Sequence, residues 1–113
     1  MSEMKQPDLE RLFYVADSAI HGKGLFARVP LPAECYLGQY DGPTTRTNGM
    51  HVLWVQEASG EWVGRDGRNL LRYINHAIPP NTEFDGFDLY ALRDIAAGEE
   101  ITIDYGDEFH DDA

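Results

Sequence analysis

The chain has 113 residues, 42% hydrophobic and 26% charged, and its nine Lys and Arg against twenty Asp and Glu leave a formal net charge of −11. This length suits one core and one domain; no run approaches the ~20 apolar residues of a membrane span, and the opening MSEMKQPDLERLF lacks the order of a secretory signal. The expectation is an intracellular, cytoplasmic protein, with the nucleus or host chromatin as the alternative, whose negative surplus disfavours nucleic acid and membranes and favours basic partners, although plain solubility accounts for the charge equally well.

Taken in chain order, residues 5–12 have no firm hydrophobic period and read as a frayed end or a short helical turn. Residues 13–15 form a first strand. Residues 17–24, with two glycines around one lysine, form a turn, and residues 25–29 resume a strand that Pro30 and Pro32 break. Cys35, the only cysteine, excludes an internal disulfide and a zinc cluster of several thiolates, so it reads as a small core residue and no metal is expected.

Residues 35–40 give another strand before the turn chemistry of Asp41, Gly42, Pro43 and Thr44. Residues 51–55 and 61–63 are two short strands joined through Ala58, Ser59 and Gly60. Residues 69–74 are the best helical segment, too short to be stable without packing. A loop over 76–82, a strand over 88–92 and a turn at Ala96, Ala97 and Gly98 follow. Residues 101–105 close the series, with Ile101, Ile103 and Tyr105 on one face and Thr102 and Asp104 on the other. Many short strands punctuated by Gly and Pro predict a compact, mostly β domain.

Three segments carry potential chemistry, and each is ordinary alone. Gly22-Lys23-Gly24 is by itself a tight turn; Asn75-His76, followed by Ala77-Ile78-Pro79-Pro80-Asn81, is by itself a capping or loop feature; and Gly98-Glu99-Glu100 through Asp104-Tyr105-Gly106 is by itself a turn and an edge strand. In this order they resemble the SET-domain family of protein lysine methyltransferases. SAIHGKGLFA is similar to its Gly-x-Gly motif, RYINHAIPPN to its Arg-Phe-x-Asn-His-Ser-x-x-Pro-Asn motif, and RDIAAGEEITIDYG to its Gly-Glu-Glu-x-x-x-Asp-Tyr motif. Tyr40-Asp41-Gly42 matches a fourth, Tyr-x-Gly.

The resemblance implies a SET domain over residues 13–106, an N-terminal extension over 1–12 and an acidic tail over 107–113, in a β-clip fold of small sheets with a short helix and a knot-like C-terminal segment. It implies S-adenosylmethionine as cofactor. Gly22, Lys23, Gly24 and Leu25 would line its methionine part through the backbone, Asn75 and His76 would hold its adenine and amino-acid ends, and His51 falls near a tyrosine that contacts its carboxylate. Tyr105 matches the tyrosine beside the transferring methyl and Tyr40 one that lines the lysine channel.

Arg72 and Glu100 match a charged pair that ties the helix to the last strand. Ala77 and Pro79 depart from the usual serine and aspartate. No cysteine-rich zinc segment is expected on either side, as in minimal viral and bacterial members, which leaves Phe109 and His110 as candidates to close the channel. Pairing into a homodimer, as short viral members do, is one way for so small a domain to complete its site. Ile103 stands where the family usually has Phe or Tyr, which implies room for more than one methyl.

The same residues make chemical sense directly. Methyl transfer from a sulfonium needs an uncharged amine, whereas free lysine has a pKa of about 10.4. A dry aromatic channel and a positive cofactor both press the lysine to lose its proton. The expected activity is therefore lysine N-methylation of a basic protein or peptide such as a histone-like tail, and the alternative is a catalytically inactive SET-fold module that binds such a partner.

Overall fold

The computed structural model describes residues 8–49 and 51–105. A single helical turn, α1 (Leu9–Leu12), opens it, capped where the Asp8 carboxylate accepts the Glu10 N–H at 3.1 Å. Apart from one 3-10 turn, the other regular elements among the described residues are strands in four small sheets. β1 (Phe13–Asp17) and β2 (Lys23–Ala27) pair antiparallel from Phe13↔Ala27 to Asp17↔Lys23, so the glycine-containing turn sits where the hairpin closes. β2 thus starts two residues before the expected strand, because cross-strand pairing carries the extended chain into the Lys23–Gly24 step.

β3 (Tyr36–Gln39), β8 (Thr82–Asp85) and β9 (Asp88–Ala91) form a sheet in the order β3-β9-β8, with a register shift between Tyr36 and Gly38. β4 (Thr44–Thr45), β5 (Val52–Gln56) and β6 (Trp62–Asp66) form another in the order β4-β6-β5. The expected helix over 69–74 is a 3-10 turn, Leu70–Tyr73, with Asn69 at its cap accepting the Leu71 N–H. One apolar face suffices for it: Leu71 is in the core, which also holds Phe13, Leu25, Leu37, Leu53, Leu89 and Ile101.

The fourth sheet is the smallest, a parallel pair of β7 (Asn75–His76) with β10 (Thr102–Ile103). Ile101, Thr102 and Ile103 are all buried, so the expected division of this strand into an inner and an outer face fails at Thr102. Asn81 explains why a threonine can be buried there. Its carboxamide oxygen accepts the Thr102 N–H at 2.8 Å, its nitrogen donates to the Glu100 carbonyl at 2.8 Å, and its own N–H donates to the Thr102 hydroxyl at 3.1 Å. The Thr82 hydroxyl then donates to the Thr102 carbonyl at 2.8 Å. Among the described residues no helix is long and apolar enough to cross a membrane.

Because these polar groups are shut away from water, removing one partner leaves the others unsatisfied. Asn81→Ala should lower the free energy of unfolding by about 2–4 kcal/mol, a large effect for a single polar side chain, as measured by urea denaturation.

Candidate active site

The turn between β1 and β2 and the start of β7 meet around one side chain, Asn75, which is 8% exposed. Its amide nitrogen donates to the His21 carbonyl at 3.0 Å, the Lys23 carbonyl at 3.2 Å and the Glu100 carboxylate at 2.9 Å. All three partners are acceptors, so the amide has one sensible orientation, and its carbonyl oxygen faces away from them. Among the described residues no donor meets that oxygen.

The Glu100 carboxylate also accepts the Ser18 hydroxyl, at 2.9 and 2.8 Å to its two oxygens. Ser18 in turn closes the loop, its N–H donating to the Gly22 carbonyl at 2.8 Å and its hydroxyl oxygen accepting the Ile20 N–H at 2.9 Å.

The two glycines differ in kind. Gly22 is at φ +46° with open space where a Cβ would stand, so the requirement there is conformational. Gly24 is required sterically, since a Cβ would fall on the Glu100 carboxylate and come within 2.9 Å of its carbon. Lys23 points outward to Asp17 at 2.6 Å; that hydrogen bond, and secondarily the charge, raises the lysine pKa and lowers the aspartate's. Its carbonyl is what faces Asn75. Leu25 is fully buried and its carbonyl accepts the Ile101 N–H at 2.7 Å, so this residue supports the turn from the core.

Next to Asn75, His76 accepts the Tyr105 N–H on its Nδ1 at 2.9 Å, which requires the proton on Nε2, and its ring lies 5.1 Å from the Tyr105 ring. The Tyr105 hydroxyl donates to the Ile74 carbonyl at 3.0 Å, directly before Asn75 in the chain. Tyr40 is 1% exposed and packs edge-on against Phe84 with centroids 5.5 Å apart. Its hydroxyl donates to the His51 carbonyl, and a side chain at Gly67 would collide with its ring. Burial first, then Asp66 and Tyr105, push the Tyr40 phenol well above its ordinary pKa. Ile103, 3% exposed, lines a cleft of about 370 Å³ with Phe84, Leu92, Glu83 and Asp104.

Of the residues singled out from the sequence, the structure brings together the 22–24 turn and Asn75, His76 and Tyr105, and Tyr40 and His51, the last through its carbonyl. Phe109 lies outside the described residues. The expected Arg72–Glu100 pair does not form: the Arg72 guanidinium donates to the Arg68 and Asn69 carbonyls at 2.7 and 3.0 Å and to the Tyr73 hydroxyl at 2.8 Å, and Glu100 faces Ser18 and Asn75. The carbonyls of the two residues that precede the 3-10 turn lie on the same stretch of chain, one turn back from Arg72, and are nearer acceptors for its side chain than a carboxylate on another segment. Ser18 was missed; its one signal was its place at the start of the glycine-containing turn. Among the described residues no group of three or more His, Cys, Asp or Glu is arranged to hold a metal.

The SET domain family model matches residues 22–106. A SET domain-containing protein of Phaeosphaeria nodorum is 36% identical over 76 residues, covering 56% of this chain and 12% of its own length. An H3 lysine-4 specific histone-lysine N-methyltransferase of Eremothecium gossypii is 31% identical over 113 residues, covering 80% of this chain and 12% of its own length. The solved structure of ctPRC2 in an autoinhibited conformation bound to S-adenosylmethionine superposes with a TM-score of 0.75 at 25% identity, over 89% of this chain and 16% of that one. Small antiparallel sheets joined by a short parallel pair around an Asn-His step define a β-clip domain, and the chain belongs to the SET domain family. It spans about an eighth of the length of these relatives.

Because the buried Tyr40 phenol resists ionisation while the unfolded chain ionises near pH 10, the folded state retains a proton that the unfolded state loses. Its contribution to stability is complete below about pH 10 and is lost as pH rises further. Tyr40→Phe should flatten the fall of unfolding free energy between about pH 10 and 12, leaving the part due to Tyr36, whose phenol is raised to about 12. Denaturation midpoints across that range measure it.

Proposed function

We propose that this chain is a protein-lysine N-methyltransferase that uses S-adenosylmethionine and acts on a basic protein or peptide such as a histone-like tail, inside the cell. The observation that carries the reading is the meeting of three groups: the open Gly22 turn, the outward carbonyl oxygen of Asn75, and the Tyr105 hydroxyl 3.0 Å from the Ile74 carbonyl. The names of the relatives and the S-adenosylmethionine bound in the structural neighbour support it.

The residues present fit that cofactor: an oxygen without a donor suits an ammonium group, and a turn with empty space over a glycine admits a close-lying chain. Bound there, S-adenosylmethionine supplies an electrophilic methyl on a positively charged sulfur. Asn75 Oδ1 would accept from its ammonium, and the 22–24 backbone would lie along its methionine part. Tyr105, held at both its N–H and its hydroxyl, offers a fixed oxygen beside the Ile74 carbonyl, and two such oxygens favour one placement of a polarised methyl. Ile103 and Phe84 give apolar side chains to the cleft where the lysine stem would lie, while Glu83 and Asp104 supply negative charge at its edge.

One observation favours the non-catalytic reading: the Tyr40 hydroxyl is buried and bonded to His51, so it does not reach an open channel. Turnover on a Lys-rich peptide with labelled cofactor separates the two readings. Tyr105→Phe should reduce that turnover on the order of a hundredfold, the usual effect of losing alignment at a reacting centre, while cofactor affinity and unfolding midpoint stay near wild type. Ile103 has no hydroxyl with which to restrict the amine, so product mass spectra under excess cofactor should pass beyond monomethyl-lysine, and Ile103→Tyr should stop there.

A further inference from the structure

Glu100 is the least expected member of the site. Its carboxylate has no cationic partner among the described residues, since Arg72 turns to main-chain carbonyls, Lys23 pairs with Asp17 and Arg93 with Glu99. Instead it accepts from two neutral donors on different segments, the Ser18 hydroxyl and the Asn75 amide. Its backbone is anchored independently, because its carbonyl accepts from Asn81 at 2.8 Å and the following N–H donates to Leu25. The side chain is therefore a fixed post to which the turn and Asn75 are tied.

We infer that Glu100 is a positioning residue: by holding the Asn75 amide nitrogen and Ser18 together, it turns the Asn75 carbonyl oxygen outward and makes the pocket select the ammonium end of an amino-acid-bearing cofactor. The inference rests on the cofactor reading above. With a neutral amide in place of the carboxylate, the Asn75 amide would lose its strongest partner and be held only by the His21 and Lys23 carbonyls, which leaves its oxygen less firmly placed and less polarised. A negative charge one hydrogen bond behind the amide also polarises it, which strengthens its oxygen as an acceptor for a cation. Gly24 follows from the same contact, because any side chain there would displace the carboxylate.

The test compares two ligands that share adenosine and a thioether but differ in the amino-acid end: S-adenosylhomocysteine, which has it, and 5′-methylthioadenosine, which lacks it. Titration calorimetry on the full chain with Glu100→Gln, a near-isosteric change, should show S-adenosylhomocysteine binding weakened on the order of tenfold and 5′-methylthioadenosine unchanged within about twofold. Ser18→Ala, a change outside the hydrophobic core, should move the same ratio in the same direction by less, and decides the matter if Glu100→Gln does not fold. Equal weakening of both ligands, or of neither, would overturn the positioning role while leaving the cofactor reading intact. Wild-type protein that binds neither ligand would overturn both.

Discussion

Residues 101–103 can be buried only if other segments satisfy the polar groups of this stretch, and several parts of the fold are arranged to do so. The Glu100 carbonyl and the Thr102 N–H and hydroxyl go to Asn81, the Thr102 carbonyl to Thr82, the Ile101 N–H to Leu25, the Ile103 carbonyl to Ala77 and the Tyr105 N–H to His76. These partners come from β2, from β7 and the residue after it, and from the start of β8 and the residue before it, all distant in sequence. A buried polar group without a partner costs more than a typical hydrogen bond contributes, so the segment is accepted only in one register. That register brings Glu100, Ile103 and Tyr105 to the site together.

The same requirement explains what could be read from the sequence. Strands such as Phe13–Asp17 and Tyr36–Gln39 were legible because apolar runs between turn residues describe them locally. The two-residue strands Thr44–Thr45 and Asn75–His76 were not, since they extend only because a partner lies alongside. Thr82–Asp85 was hidden for a related reason: its alternation is short and follows two prolines, and pairing with Asp88–Ala91 through the Gly86 turn makes it a strand. Asn81 was visible as the end of a motif, but its role as the bonding partner of a buried threonine was not.

At the site, positions were legible and partners were not. Motif spacing located Gly22, Gly24, Asn75, His76 and Tyr105, which the fold gathers. It did not reveal that Glu100 would serve Asn75 and Ser18, because the resemblance assigned Glu100 to a charged pair with Arg72. Charge alone is a weak guide there: guanidinium groups satisfy several carbonyls at once with their fork of donors. Arg28 does so with the Glu10 and Phe13 carbonyls, and Arg65 with that of Tyr40 while stacking on Phe87.

Arginines bound to carbonyls leave the acids around the site less neutralised, and under the proposed methyl transfer to lysine this creates opposed demands. Negative charge attracts a protonated lysine but also holds it protonated, while transfer requires the free amine. Magnitudes decide between them. An acid at the solvent-exposed rim about 10 Å away contributes a few tenths of a kcal/mol at the dielectric of water, a small fraction of a pKa unit. Removing the ammonium from water can shift its pKa by as much as about 3–5 units in the opposite sense, and a nearby sulfonium adds to that shift. Acids at the edge, such as Glu83, therefore suit capture, whereas the apolar lining of Ile103 and Phe84 suits deprotonation. Glu100 avoids the conflict by a different route, because its charge is directed into hydrogen bonds with Ser18 and Asn75, where it orients an amide instead of a lysine.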